Sequence, residues 1–140
     1  MQKLTSGLED YIESISNHIQ KNNKVRAIDI ARELNVSRAS VSEALKRLNE
    51  LGYINYGRYG NISITKEGEI AAESVIKRHH LLHKFLCDIL GLDDKEASEN
   101  ACRIEHVISN KFLAQLQKFV DFQEQNPEII QNFKEYTLDN

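Results

Sequence analysis

The strongest constraint on the fold is a run of three short amphipathic segments followed by two arms of alternating residues, between positions 8 and 65. In the three segments, apolar residues recur at intervals of three and four, the spacing of a helix that buries one face. In the two arms they alternate around a glycine-bearing turn, which is typical of a β-hairpin. The residues predicted to face inward from the three helices are Leu8, Ile12, Ile15, Ile19, Ile30, Ala31, Leu34, Val41, Ala44, Leu45 and Leu48.

Polar residues and a glycine mark the predicted ends of these helices. Ser6 and Glu9 have the spacing of a capping box, so the first helix is expected to begin near Gly7. The second helix is expected over about 27–34, and Ser37 or Ser40 caps a third helix that ends near position 49. A glycine C-cap at position 52 then starts the hairpin.

The remainder of the sequence predicts helices only, so the fold class is mostly α with one small hairpin. Thr65 caps a long helix that continues to about Leu90. Another helix is expected from about Lys95 to Gln125, either continuous or kinked or divided near Glu99–Asn100. Pro127 is expected to begin a last short helix.

Composition bounds the class of protein. At 140 residues with 28% charged and 41% hydrophobic residues, the chain suits one globular unit or two small modules. The sequence contains no apolar run of about 18 residues and no signal-peptide pattern, so we expect no membrane partner and a cytoplasmic location. Two cysteines exclude a disulfide scaffold.

The net charge of −3 conceals two windows of opposite sign. Between residues 21 and 66, nine Lys and Arg face four acids, whereas residues 81–140 carry six basic residues and eleven acids. Affinity for phosphates follows the local field, so a basic window next to an acidic one suggests two separate tasks. A mixed, solvated surface is the alternative explanation.

Helix, short turn, helix and hairpin together form the winged helix-turn-helix layout, in which the third helix enters the DNA major groove. Lys46, Arg47 and the hairpin residue Arg58 are placed to reach phosphates. Glu43 can accept from a cytosine amine or simply be a solvated residue. A plain helical hairpin with charged faces is the alternative. The candidate DNA-contacting residues are Ser37, Arg38, Ala39, Ser40, Ser42, Glu43, Lys46, Arg47 and Arg58.

Metal-ligating residue types recur at helical spacing in three places. One pair shares a face of the long helix, a triplet shares a face of what the pattern predicts to be a single helix, and two acids lie on the first helix. Mixed sulfur, oxygen and nitrogen donors suit Fe(II), Co(II), Ni(II), Zn(II) or, less well, Mn(II). The candidate ligands are His79 and His83, then Cys102, Glu105 and His106, then Asp10 and Glu13.

Packing is the alternative role for the cysteines, because cysteine is often a small buried apolar residue. Cys102 alone would fit that role, whereas with Glu105 and His106 beside it a metal role and a packing role are both open. Cys87 lies within an apolar run and is expected in the core.

From Leu8 to about Val120 the chain resembles the metal-dependent repressors of the diphtheria toxin repressor family, including its manganese-transport-regulator branch. The last of the matching segments is the most specific. These segments are Glu9-Asp10-Tyr11-Ile12-Glu13, Ile30-Ala31-Arg32-Glu33-Leu34, Leu51-Gly52-Tyr53-Ile54, Thr65-Lys66-Glu67-Gly68, Arg78-His79 and Ala101-Cys102-Arg103-Ile104-Glu105-His106-Val107.

The resemblance implies a role for each candidate ligand. Cys102, Glu105 and His106 match a metal-binding triplet of the family, and His79 matches a ligand on the long helix. Asp10 and Glu13 match first-helix ligands of the manganese branch. The match is mixed between the two branches. A cysteine at position 102 resembles the iron branch. However, the second site of the iron branch has a glutamate and a histidine where this chain has His83 and Ser98. The iron branch also usually adds an SH3-like third domain, for which 140 residues leave no room.

We therefore expect a winged helix-turn-helix DNA-binding domain over residues 1–70 and a helical metal-binding and dimerisation domain over residues 71–140. The expected function is a homodimeric repressor of palindromic operator DNA, activated by Fe(II) or Mn(II), with Zn(II), Co(II) or Ni(II) able to substitute in vitro. A winged-helix regulator that responds to a non-metal small molecule is the alternative. We expect no enzyme, because no nucleophile motif, phosphate loop or paired general acid and base accompanies the ligands. The residues expected to supply the dimer core are Ile104, Ile108, Leu113, Leu116 and Phe119.

Overall fold

The computed structural model describes residues 4–22 and 24–136, and within those ranges the chain is mostly α-helical. It divides into two compact units, Met1–Lys77 and Arg78–Asn140. The elements in chain order are α1 Ser6–Asn22, α2 Ala27–Leu34, α3 Arg38–Glu50, β1 Ile54–Tyr56, β2 Ile62–Ile64, α4 Lys66–Lys84, a π-helical turn Phe85–Ile89, α5 Asp94–Ile104, α6 Asn110–Gln125 and α7 Pro127–Glu135. The predicted fold class is confirmed.

The first unit is built around the apolar stripes of α1, α2 and α3. The four residues predicted to face inward from α3 are all buried, and so are Ile12, Ile15 and Ile30, whereas Leu8 and Ile19 pack at the margin. This burial holds α2 against α3 and leaves the opposite face of α3 in solvent. The arrangement is that of a helix-turn-helix.

Capping at the two ends of α3 agrees with the prediction, whereas the first helix differs. Ser37 Oγ accepts from the backbone N–H of Ser40, and Gly52, with φ 85°, ends α3. The predicted capping box at Ser6 was wrong. The hydroxyl of Thr5 accepts from the backbone N–H of Leu8 at 3.3 Å instead, so α1 begins one residue earlier.

The hairpin pairs β1 with β2 in antiparallel register, with Ile54 opposite Ile64. Thr65 then ties the hairpin to α4. Its hydroxyl oxygen lies 2.7 Å from the carbonyl oxygen of Gly52 and accepts from the backbone N–H of Gly68 at 3.1 Å. A side chain at position 68 would overlap the carbonyl oxygen of Tyr53, so the wing and α4 approach more closely than any residue but glycine permits.

The second unit has its own core, formed where α4, the π-helical turn, α5 and α6 meet. Leu116 is buried in that core, and Ile104, Ile108 and Leu113 pack against it, so four of the five residues predicted for a dimer core contribute to their own subunit. Phe119 is 39% exposed. The residues of this core are Leu81, Leu82, Leu86, Ile89, Ala97, Ala101, Leu116 and Val120.

Two helix boundaries differ from the prediction. The long helix is α-helical only to Lys84 and then widens into the π-helical turn. The later helix divides at residues 105–109 and not near Glu99–Asn100, which lie inside α5. Ser109 begins α6 by accepting from the backbone N–H of Phe112.

None of the described helices combines the length and the apolarity that crossing a membrane requires. The boundary expected between residues 70 and 71 separates a DNA-binding domain from a metal-binding and dimerisation domain. It stays a prediction, since the division into two compact units does not assign a function to either of them.

Candidate metal centre

Helix α4 aligns two histidines on one face of the second unit. The rings of His79 and His83, one turn apart, are stacked with centroids 6.2 Å apart and an interplanar angle of 24°. His80 points to a different side and is exposed. The prediction that His79 and His83 share a face is confirmed by the geometry.

Glu105 is the buried centre of the cluster. Its side chain is 1% exposed, with Oε2 lying 2.8 Å from Nδ1 of His79 and Oε1 lying 3.4 Å from Nε2 of His106. A carboxylate removed from water is costly unless positive charge or hydrogen bonds offset the loss of hydration. A protonated imidazole or a bound cation would supply that charge.

Cys102 lies on the solvent side of the same cluster. Its Sγ is 3.8 Å from Nδ1 of His79, and the residue is exposed, which is unlike a cysteine kept for core packing. One ligand atom from each of His79, Cys102 and Glu105 can be chosen so that all three lie within 4.8 Å of one another. Metal–ligand bonds of about 2.0–2.3 Å hold the donors of one ion at about this spacing after small adjustments. The donor set therefore fits a divalent transition metal.

The expectation that Cys102, Glu105 and His106 share the face of a single helix was wrong. Helix α5 ends at Ile104, Glu105 is its C-terminal cap, and His106 lies in the turn that follows. The backbone N–H of Val107 donates to the carbonyl of Ile104, which tightens the chain at this point. Because the helix ends here, Glu105 can offer one oxygen to each imidazole.

Asp10 and Glu13 belong to the first unit, where they lie three residues apart on α1. Their role as ligands stays a prediction.

A second cluster in the same unit contains two residues that the sequence did not suggest as ligands. Nε2 of His83 lies 2.9 Å from Oδ1 of Asp94 and 3.7 Å from Sγ of Cys87. The predicted core position of Cys87 is only partly correct, since the residue is half-buried. The spacing of four between His83 and Cys87 was an available signal, but Asp94 enters only through the turn that reverses the chain. Burial, with Asp94, Asp88 and Asp93 nearby, raises the pKa of the Cys87 thiol.

The outer face of α3 presents the predicted DNA-contacting residues. All of them are exposed except Ser42, which is half-buried, and Arg58 is exposed in the turn of the wing. Ser37 and Ser40 bond to each other through their hydroxyls at 2.9 Å, and Arg47 forms an ion pair with Glu50 at 3.4 Å. The arrangement leaves a solvated basic helix face next to a basic hairpin tip, the electrostatic form of a DNA-binding surface.

Two domain families match the chain. The N-terminal DNA-binding domain of the iron-dependent repressors matches residues 3–62, and the metal-binding and dimerisation domain of the iron-dependent repressors matches residues 65–134. These descriptions are of repressors, in agreement with the expectation that the chain is not an enzyme.

Individual relatives and one solved structure give the same result. An uncharacterized HTH-type transcriptional regulator of Methanocaldococcus jannaschii is 36% identical over 119 residues, which are 84% of this chain and 95% of the relative. The HTH-type transcriptional regulator MntR of Lysinibacillus sphaericus is 31% identical over 130 residues, 93% of each chain. The structure of a manganese-dependent transcriptional repressor in complex with manganese superposes with a TM-score of 0.75 at 29% identity. That match covers 82% of this chain and 53% of the other, so the chain spans about half the length of that repressor.

The winged helix-turn-helix, the metal-ligand cluster and these matches agree on one assignment. The chain belongs to the iron-dependent repressor family, the metal-dependent transcriptional repressors of the diphtheria toxin repressor and manganese regulator type.

Proposed function

We propose that the protein is a cytoplasmic, homodimeric repressor that binds palindromic operator DNA when Fe(II) or Mn(II) occupies the cluster around Glu105. The observation that carries this proposal is the buried Glu105 carboxylate, which lies between His79 and His106 with the Cys102 thiol at its edge. In a member of a metal-dependent family, such a cluster of nitrogen, oxygen and sulfur donors around a buried acid is suited to binding a metal ion.

His79, Cys102 and Glu105 would hold the metal. His106, which lies next to the other carboxylate oxygen of Glu105, would be a further ligand. We also propose Asp10 and Glu13 of α1 as ligands, on the strength of the family resemblance. A bound cation would supply positive charge that offsets the carboxylates. Occupancy of the site would then favour one arrangement of the DNA-binding helices over others, which is a shift in population.

Helix α3 is the proposed recognition helix. Near its N-terminus, the exposed Ala39 is small enough for close approach to base edges, and the exposed Arg38 is long enough to reach them. Lys46 and Arg47 of the same helix, and Arg58 of the hairpin, would reach phosphates. In a homodimer, two copies of α3 would occupy successive major grooves about 34 Å apart, so the operator would be palindromic.

Helix α6 offers an apolar surface for the second copy. Phe112, Phe119 and Phe122 are 50%, 39% and 53% exposed and recur at helical spacing. This helix lies within the residues that match a dimerisation domain. Because exposed apolar patches usually mark interfaces, we propose that these aromatic rings pack against their counterparts in the partner subunit.

The donor set is an argument for Fe(II), whereas the similarity to a manganese-dependent repressor is an argument for Mn(II). The Cys102 thiolate is a soft ligand, and Mn(II) prefers carboxylate and other oxygen ligands. Zn(II), Co(II) and Ni(II) suit the same donors and are expected to substitute in vitro.

Operator binding under strict anaerobiosis tests the function. A randomised duplex library is selected with the Co(II)-loaded protein, and the Kd of the selected duplex is then measured with Fe(II), Mn(II), Zn(II), Co(II) or a chelator. We expect a palindromic sequence and a Kd at least tenfold lower with metal than with chelator. The same affinity in chelator as in every metal would contradict the proposal and would favour a regulator that responds to a non-metal ligand.

A further inference from the structure

We propose that His83, Cys87 and Asp94 form a second metal site, for a thiophilic divalent cation such as Zn(II), distinct from the cluster around Glu105. The three residues come from α4, the π-helical turn and the first turn of α5. None of them is part of the centre that carries the proposed function.

The distances fit one small cation. Nε2 of His83 lies 3.7 Å from Sγ of Cys87 and 2.9 Å from Oδ1 of Asp94, and the three donor atoms lie within 4.8 Å of one another. In a tetrahedral zinc site with bonds of about 2.0–2.3 Å, neighbouring donors lie about 3.3–3.8 Å apart. The nitrogen–sulfur spacing already has this value, and the His83–Asp94 pair has to open by only a few tenths of an ångström.

The backbone brings Cys87 and Asp94 close to the same ring nitrogen of His83. Cys87 lies in the middle of the π-helical turn, a feature that often occurs at functional sites. Gly91 follows this turn, and its φ of 77° lets the chain reverse toward α4.

Two neighbouring aspartates have different tasks after this reversal. Asp93 caps α5, because its Oδ1 accepts from the backbone N–H of Glu96 at 2.8 Å. Asp94 is not needed as the cap, and its carboxylate bonds to His83 instead, with the side chain 91% exposed. A carboxylate on the solvent side gives a cation a path of entry.

This donor set differs from the second site of the iron branch. The resemblance would place a glutamate at position 83 and a histidine at position 98, where this chain has His83 and Ser98. A histidine at position 83 exchanges a hard ligand for a borderline one, and Cys87 adds a soft ligand on the same helix face. Both changes favour Zn(II) or Fe(II) over Mn(II).

The chain has two cysteines, so spectroscopy can separate the two sites. A thiolate bound to Co(II) gives a near-ultraviolet sulfur-to-cobalt charge-transfer band. In the Cys102→Ser protein, such a band can arise only from Cys87. We expect the anaerobic Cys102→Ser protein to develop this band with Co(II), to lose it when Cys87→Ser is added, and to bind Co(II) at least tenfold more weakly when Asp94→Asn is added. Asp88→Asn is the matched control, because it removes another exposed aspartate near Cys87 without removing a proposed ligand, and it should weaken Co(II) binding much less than Asp94→Asn does.

Absence of the band in folded Cys102→Ser protein would overturn the proposal, and an Asp94→Asn effect no larger than that of Asp88→Asn would remove Asp94 from the site. The full wild-type protein gives an independent test if Cys102→Ser does not fold. Zn(II) should slow alkylation of Cys87 at least tenfold, measured by mass spectrometry of the Cys87 peptide, and Asp94→Asn should reduce this protection. Unchanged alkylation of Cys87 in saturating Zn(II) would contradict the site, whatever the result for Cys102 or for DNA binding.

Discussion

Oε2 of Glu105 lies 2.8 Å from Nδ1 of His79, and the carboxylate of this pair is 1% exposed. The pair joins the C-terminal cap of α5 to the C-terminal part of α4, and this is where we propose that the second unit holds a cation. A buried acid with two imidazoles and a thiol near it is a poor stabilising device on its own, because the loss of hydration cancels much of the attraction. The metal binding proposed above would account for this arrangement.

Glu105→Gln removes the charge and keeps the shape, so it tests the centre directly. We expect metal affinity to fall at least about tenfold, since even residues that only orient metal ligands change affinity by about 10–100-fold. At a free metal concentration 100 times the wild-type Kd, metal stabilises the wild type by about 2.7 kcal/mol and a tenfold weaker variant by about 1.4 kcal/mol. Thermal or urea unfolding with and without Zn(II), carried out with Cys87→Ser in both proteins so that the second proposed site does not contribute, measures both values.

Glu99→Gln is the matched control for that experiment, because Glu99 is an exposed acid on the same helix. The control should keep the full metal-dependent gain in stability. An equal gain in Glu105→Gln and in the wild type would remove Glu105 from the metal site.

Cys102→Glu should shift metal preference toward Mn(II). The substitution replaces a soft thiolate by a carboxylate, the donor that Mn(II) prefers. The ratio of the Kd for Mn(II) to the Kd for Co(II), measured by calorimetry under argon, should fall at least about tenfold relative to the wild type. An unchanged ratio would show that Cys102 does not contact the metal.

The division of the later helix shows why the centre was only partly predictable. Residue spacing suggested Cys102, Glu105 and His106 as neighbours, and the resemblance supplied their roles. Helix α5 ends at Ile104 and α6 begins after the cap at Ser109, and the apolar pattern marks neither position. Residue spacing therefore identified these residues, whereas the placement of the two Glu105 oxygens next to two different imidazoles could be seen only in the structure.

Lys46→Ala tests the proposed DNA surface. If the ammonium contacts a phosphate, its removal should weaken binding to all sequences alike and reduce the slope of log K against log salt by about 1. Lys95→Ala is the control, since Lys95 is exposed on α5 in the other unit. A loss of affinity confined to the selected palindrome would indicate a base contact in place of a phosphate contact.

Gly68→Ala should destabilise the first unit by about 1–3 kcal/mol, the usual cost of forcing extra atoms into a packed site. A Cβ at this position would overlap the Tyr53 carbonyl oxygen and lie 2.7 Å from Cγ1 of Ile64. Gly7→Ala is the contrasting variant, because no atom beyond the adjoining residues and the local helix backbone lies within 4 Å of its Cβ position, and it should stabilise by about 0.5–1 kcal/mol. Urea unfolding of both variants checks the signs, and equal effects would contradict the close approach of the wing to α4.

The N-terminal unit was more predictable than the metal clusters for a physical reason. Its helices bury regular stripes, and its wing follows a glycine C-cap, so local pattern and tertiary packing agree. The cluster of His83, Cys87 and Asp94 depends on a π-helical turn and on a reversal at Gly91, so the spacing of His83 and Cys87 was visible in the sequence but the approach of Asp94 was not.

The most direct test of the central claim is the ratio of operator Kd without and with Fe(II) or Mn(II), compared between the wild type and Cys102→Ala/His106→Ala under anaerobiosis. We predict a ratio of at least ten in the wild type and close to one in the double variant, with the affinity of the double variant in metal equal to that of the wild type in chelator. A double variant that keeps the full metal-dependent gain in operator affinity would contradict the assignment of this cluster as the site that activates DNA binding.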